Sequence, residues 1–297
     1  MFDSYGSPSI MTYDASKGVN PLGGKTYYVR GGGSDDHEGN DPEFPLATLA
    51  VAFAKCVTAK NDYVFVSNYW TATEAPIEID IGDVHLIGLG TGNFDSGVHS
   101  PGGSNPSFDF ADGSRDIELA GFSLGNDGSE VCIDVTGQVS RAHIHHCALG
   151  WNYGVTDGIA FTPGGALLYP TIDHCYFGHM ISAIGISAYL NSGIIAHNLF
   201  HRNGTNGFYC TTGGFNITFL ENIHYSPDDD GEAAGWAIRL DPNTTDCLVV
   251  HNHAGSRGAA ASNNPFRDES AAAAADMLNG WVGNFDGEAL SGGPDGA

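Results

Sequence analysis

Basic residues are scarce in this chain: 11 lysines and arginines stand against 35 aspartates and glutamates, for a formal charge of −24. A surface that acidic repels DNA, RNA and anionic membrane, which excludes the nucleic-acid-binding classes. No apolar run reaches the 18 residues that a spanning helix needs. The opening Met1-Phe-Asp-Ser-Tyr-Gly-Ser-Pro has neither the basic start nor the apolar core of a signal peptide. The expectation is a mature form, or a protein made and used without Sec export. None of the six cysteines forms a CxxC pair, so a zinc ribbon is not supported. Cysteines packed inward as small hydrophobes are expected rather than disulfides.

Against these gaps stand 42 glycines and one recurring pattern. An apolar residue, two more, usually a small or polar residue, one residue, and usually an apolar residue recur as Leu119-Ala-Gly-Phe122-Ser-Leu124, Ile144-His-His-Cys147-Ala-Leu149, Ile172-Asp-His-Cys175-Tyr-Phe177, Ile195-Ala-His-Asn198-Leu-Phe200, Phe219-Leu-Glu-Asn222-Ile-His224 and Val249-Val-His-Asn252-His-Ala254. The fourth positions are 25, 28, 23, 24 and 30 residues apart. Such a period, with alternating residues on either side, predicts a chain wound into a parallel β-solenoid. Between these repeats lie Val131–Val135, Gly158–Phe161, Gly185–Ser187, Gly207–Cys210 and Trp236–Leu240. The expectation is therefore two strands per turn in an all-β, right-handed parallel β-helix of about seven or eight coils, roughly 35–40 Å long.

The predicted organisation is an N-terminal arm over 1–25, a capping strand and helix over 26–62, the parallel β-helix over 63–255, and a C-terminal cap or tail over 256–297. Pro45 is expected to open the capping α-helix, with Leu46, Leu49, Phe53, Cys56 and Val57 on its buried face. An amphipathic helix would shield the open end of the stack, where backbone groups are otherwise unpaired. Ser270–Asn279 reads as a short helix. Trp281 and Phe285 read as cap residues or partner contacts.

Stacking makes equivalent residues of successive coils neighbours, so chemistry is sought in columns. Cys147, Cys175, Asn198, Asn222 and Asn252 form one column, read as a structural ladder of thiols and mutually bonded amides. The residues preceding them, His146, His174, His197, Glu221 and His251, form another. Stacked bend residues are the plainer reading of that column. Imidazoles with a carboxylate can also hold a transition metal or act as acid and base, which makes His146 and His174 metal candidates. His143, His145 and Asp173 add polar groups nearby without forming a defined triad. Two acidic clusters suit calcium: Asp35–Asp41 and Asp228, Asp229, Asp230 and Glu232. Beyond these metal candidates no cofactor is expected. Tyr69, Trp70, Trp151 and Tyr153 offer aromatic rings for a sugar platform.

Over residues 26–255 the repeats resemble the pectin-lyase-like superfamily of right-handed β-helices. The segment Gly31-Gly-Gly-Ser-Asp-Asp-His-Glu-Gly-Asn-Asp-Pro-Glu-Phe-Pro-Leu-Ala-Thr resembles the usual entry of such proteins. The stretches Ala75–Asp80, Val84–Gly92 and Asn105–Phe110 are similar to a subgroup among tailed-phage structural proteins. That superfamily's enzymes cleave acidic polysaccharides, using aspartate-bound calcium with a basic residue, or clustered aspartates with Gly-His-Gly and Arg-x-Lys segments. This chain has neither segment, and Arg141, Arg202, Arg239 and Arg257 are scattered. No catalytic residue is carried over. The resemblance implies a non-enzymatic virion protein displayed on the particle surface, as a capsid decoration, turret or fibre component. It would be a homo-oligomer, a trimer by resemblance, touching other virion proteins through 1–25 and 256–297 and surface glycans weakly. The alternatives are a polysaccharide lyase or hydrolase of tailspike type, and a secreted carbohydrate-binding adhesin.

Overall fold

The computed structural model describes residues 23–67, 76–89, 99–100, 106–126, 131–150, 156–186, 189–201, 203, 206–210, 213–225, 236–255, 266–269, 279–285 and 290–291. Its strands stack in register into three long sheets and one short one. The first sheet has ten parallel strands, from Thr26–Val29, Asp62–Val66, Val84–Gly88, Ile117–Ala120, His143–His145 and Thr171–Asp173 to Ile194–Ala196, Thr218–Leu220, Leu248–Val250 and Gly280–Val282. The second has eight strands, Ile77–Ile79 through Phe266–Asp268, and takes a strand from each inter-repeat segment named above. The third holds the strands that directly follow the column residues, such as Ala148–Leu149, Tyr176–Gly178 and Leu199–His201.

The windings that begin at Val84 through Leu248 therefore carry three strands, and several a fourth such as Gln138–Ser140 or Ala166–Leu168, instead of the two expected. The extra strands are only two to four residues long, too short to display a clear alternation in sequence. The ladders also run past Ala254: Leu248 pairs with Gly280, Val249 with Trp281 and His253 with Phe285. At the other end, Thr26–Val29 lies in register with Tyr63–Val66 as a full member of the first sheet. The arm over 1–22 and the segment 270–278 lie outside the described residues.

Alternation along each strand builds the core. On the first sheet Val64, Leu86, Leu119, Ile144, Ile172, Ile195, Phe219 and Val249 stand in one inward file, each at most 1% exposed. Opposite them on the second sheet Ile133, Ile159, Ile184, Phe208 and Ile238 form the matching file. Identical spacing turns a period in sequence into continuous apolar columns.

The capping helix is Leu49–Lys55, burying Leu49, Ala52 and Phe53. It starts four residues after Pro45, because Thr48 is its N-cap and accepts a bond from Val51 N–H. Asp35 secures this start: its carboxylate accepts from the Ala47 and Thr48 amides at 3.0 Å and from the Thr48 hydroxyl at 2.9 Å. The first acidic cluster thus spends its leading carboxylate on the helix start. Leu46 is fully buried but precedes the helix, bridging Val29, and Val57 is exposed.

Candidate functional site

The bend between the first and third sheets is a single residue with left-handed backbone. It is Gly121 (φ 74°), His146 (52°), His174 (50°), His197 (55°), Glu221 (52°), His251 (52°) and Gly283 (63°) in successive windings. Five non-glycine residues accept this geometry at about 1 kcal/mol each. The bend therefore falls on the histidine column, and the asparagines lie one residue beyond it. Its outward side chains stack: His146 and His174 lie 5.1 Å apart at 7°, and His174 and His197 5.2 Å apart at 33°.

The next residue turns inward. Cys147 and Cys175 are buried free thiols, and Asn198, Asn222, Asn252 and Asn284 extend the file as a bonded amide ladder. Asn198 Nδ2 donates to Asn222 Oδ1 at 3.0 Å, Asn222 to Asn252 at 2.9 Å, and Asn252 to Asn284 at 3.1 Å. Each receiving oxygen also accepts the backbone N–H of the residue one winding earlier. This file is buried scaffold, its amides bonded to one another and to the backbone.

A convergent group forms on the outer face of the first sheet, where Glu118 lies between the inward Ile117 and Leu119. Register places His85 on one side of it and His143 on the other, with His145 on the diagonal. Glu118 Oε2 lies 2.5 Å from His85 Nδ1, and Oε1 lies 2.9 Å from His145 Nε2. His143 and His145 stack at 4.1 Å, and His143 Nε2 reaches the Asp173 carboxylate at 3.3 and 3.4 Å. His85 stacks on Tyr63 at 4.1 Å and turns Nε2 to Asn61 Oδ1 at 3.2 Å.

Hydrogen bonds from His145 and His85 hold the Glu118 carboxyl far below its usual range, outweighing partial burial. An ionised carboxylate only accepts, so His85 Nδ1 and His145 Nε2 both carry hydrogen. In neutral His145 the other nitrogen, Nδ1, is then an acceptor, and the His146 Nδ1–H donates to it across 2.8 Å. Burial, followed by the neighbouring His145 and His174, lowers the His146 pKa. Burial raises that of Asp173, but bonds and charge from His143 and His174 win, and its net shift is downward.

One ligand atom from each of Glu118, His143 and His145 lies within 4.8 Å of the other two. His146 and His174 lie beside this trio, parallel to one another and not converging. Asp228, Asp229, Asp230 and Glu232 fall outside the described residues, as do Tyr69, Trp70, Trp151 and Tyr153. Of the scattered arginines, Arg141 pairs with Asp116. Arg239 pairs with Glu269 at 2.7 Å and lies over the Tyr209 and Trp236 rings on the second sheet. Sequence reasoning missed Glu118 and His85. A signal existed: Glu118 and His143 each precede the first position of their repeat, so both had to share one outer file.

Among solved structures, pectate lyase Pel9A superposes with a TM-score of 0.50 at 12% identity, covering 93% of this chain and 83% of that one. The fold is the pectin-lyase-like right-handed parallel β-helix. An alginate lyase from Paenibacillus sp. str. FPU-7 gives 0.49 at 11% identity, covering 82% and 92%. Pectin methylesterase PemA from Erwinia chrysanthemi gives 0.45 at 14%, covering 85% and 92%. No family model matches the sequence, and no curated protein matches it. At such identities the likeness concerns the β-helix alone.

Proposed function

We propose that this β-helix is a polysaccharide-cleaving enzyme, working along the outer face of the first sheet between Tyr63 and Asp173. The observation that carries the reading is the gathering of Glu118, His85, His143, His145 and Asp173 on one continuous outer surface. His145 against Glu118 and His143 against Asp173 are each an imidazole oriented by a carboxylate, an arrangement suited to proton transfer. The five strands involved span ~19 Å, room for several sugar units of an extended chain. The superposed structure of the same fold is a pectate lyase, which supports a polysaccharide as the substrate class. A protein of charge −24 opposes a polyanion in bulk.

The test is incubation of the purified protein with a panel of acidic and neutral polysaccharides, with and without divalent cations. The reading expects new unsaturated or reducing ends from at least one glycan. Its competitor, a non-enzymatic homo-oligomeric protein on a virion surface with contacts through 1–25 and 256–297, expects none from any glycan. That outcome would withdraw the enzymatic reading.

A further inference from the structure

We infer that Glu118, His143 and His145 form a binding site for one divalent transition-metal ion of the zinc class. Two imidazoles and one carboxylate are the donors such ions take, whereas calcium and magnesium want oxygen throughout. Ligand atoms of the three residues already lie within 4.8 Å of one another on adjacent, register-locked strands. Glu118 Oε1 and His145 Nε2 are 2.9 Å apart. Two donors each about 2.0–2.1 Å from a tetrahedral ion stand about 3.3 Å apart, so this pair has only to open by about 0.4 Å.

The surroundings supply the outer support that metal ligands need. His85 holds the second Glu118 oxygen at 2.5 Å and is itself fixed by Asn61 and by the Tyr63 ring. When Nε2 of neutral His145 binds the ion, its single N–H moves to Nδ1, which faces His146 Nδ1 at 2.8 Å. Glu118 and His145 keep only 27% and 17% of their side-chain exposure, while His143 keeps 42%, so the site opens to solvent on the His143 side. Three protein donors with an open side are the pattern of catalytic rather than structural zinc. The site stands independently of the polysaccharide reading, since it predicts binding whether or not any glycan is cleaved.

The experiment strips the full-length protein with a chelator, then titrates it with Zn²⁺ by calorimetry and with Co²⁺ by visible absorption. One equivalent binds to wild type. The His143→Gln/His145→Gln double variant weakens binding by at least 100-fold, and His85→Gln weakens it by about 10- to 100-fold by loosening Glu118. His174→Gln leaves it unchanged. His145→Cys with Co²⁺ adds a thiolate-to-cobalt band, a readout that does not depend on loss of binding. The inference is overturned if wild type binds no equivalent, if the double variant retains it, if His174→Gln abolishes it, or if the cysteine variant shows no such band.

Discussion

The outer face of the first sheet changes character halfway along the molecule, while the inner face does not. From Tyr63 to Asp173 it presents paired imidazoles and carboxylates. From Ile194 onward the same files present Ile194, Leu248 and Val282, which are 45%, 42% and 52% exposed. The inward file of Val64 to Val249 is apolar throughout. Packing therefore sets the winding, and the outer positions are left free to present ionisable groups in one half and apolar ones in the other. Among the described residues the halves also differ in their inward asparagines, which begin at Asn198, and in the buried His224.

That histidine gives the largest expected effect. His224 is fully buried against the Phe200 ring, 4.4 Å away and parallel, and neither ring nitrogen has a partner among the described residues. Burial, reinforced by His253, pushes its pKa down to about 3. The unfolded chain binds the proton more readily, so stability falls as pH drops below about 6.5, by about 1.4 kcal/mol per unit until pH 3. Acid melts should show His224→Phe losing most of this slope. If the slope survived in that variant, acid sensitivity would belong to the histidine-rich surface and the contrast between the halves would break.

The amide ladder comes next. Asn222→Ala removes the acceptor of the Asn198 amides and the donor to Asn252 and Ile195, and should cost about 3 kcal/mol in denaturant unfolding. Cys175→Ala, in the same file but bonded more weakly, should cost less. Equal losses would show that the ladder adds nothing to the thiol packing.

Glu118→Gln is expected to cost about 1–2 kcal/mol at neutral pH, since the carboxylate loses charged bonds from a partly exposed position. Because its folded pKa is depressed, that stability is present above about 4.5 and is lost as pH falls. Wild type and variant should therefore converge in acid. Smallest of all, Leu248→Thr should shift stability by no more than about 0.5 kcal/mol, as expected for an exposed strand position.

The repeat and its inward files are readable in sequence because both depend on spacing between a residue and its near neighbours. Val249 and Ile172 announce themselves by alternation. The working cluster does not. Glu118 meets His85 across 33 positions and His145 across 27, and the connections between windings vary in length. Their convergence exists only once the register is known. The bends were legible as a column of stacked residues, but not their left-handed backbone, since His146, His174 and Glu221 occupy geometry usually signalled by glycine or asparagine. The asparagines that suggested a bend are instead bonded inside it.

The most direct measurement compares oligosaccharide release by wild type, His145→Gln and Leu248→Thr on whichever glycan of the panel is cleaved. The account predicts that release disappears in the first variant and persists in the second, the two positions sharing one sheet face. Equal activity in both variants, or no release by wild type from any glycan, would contradict it.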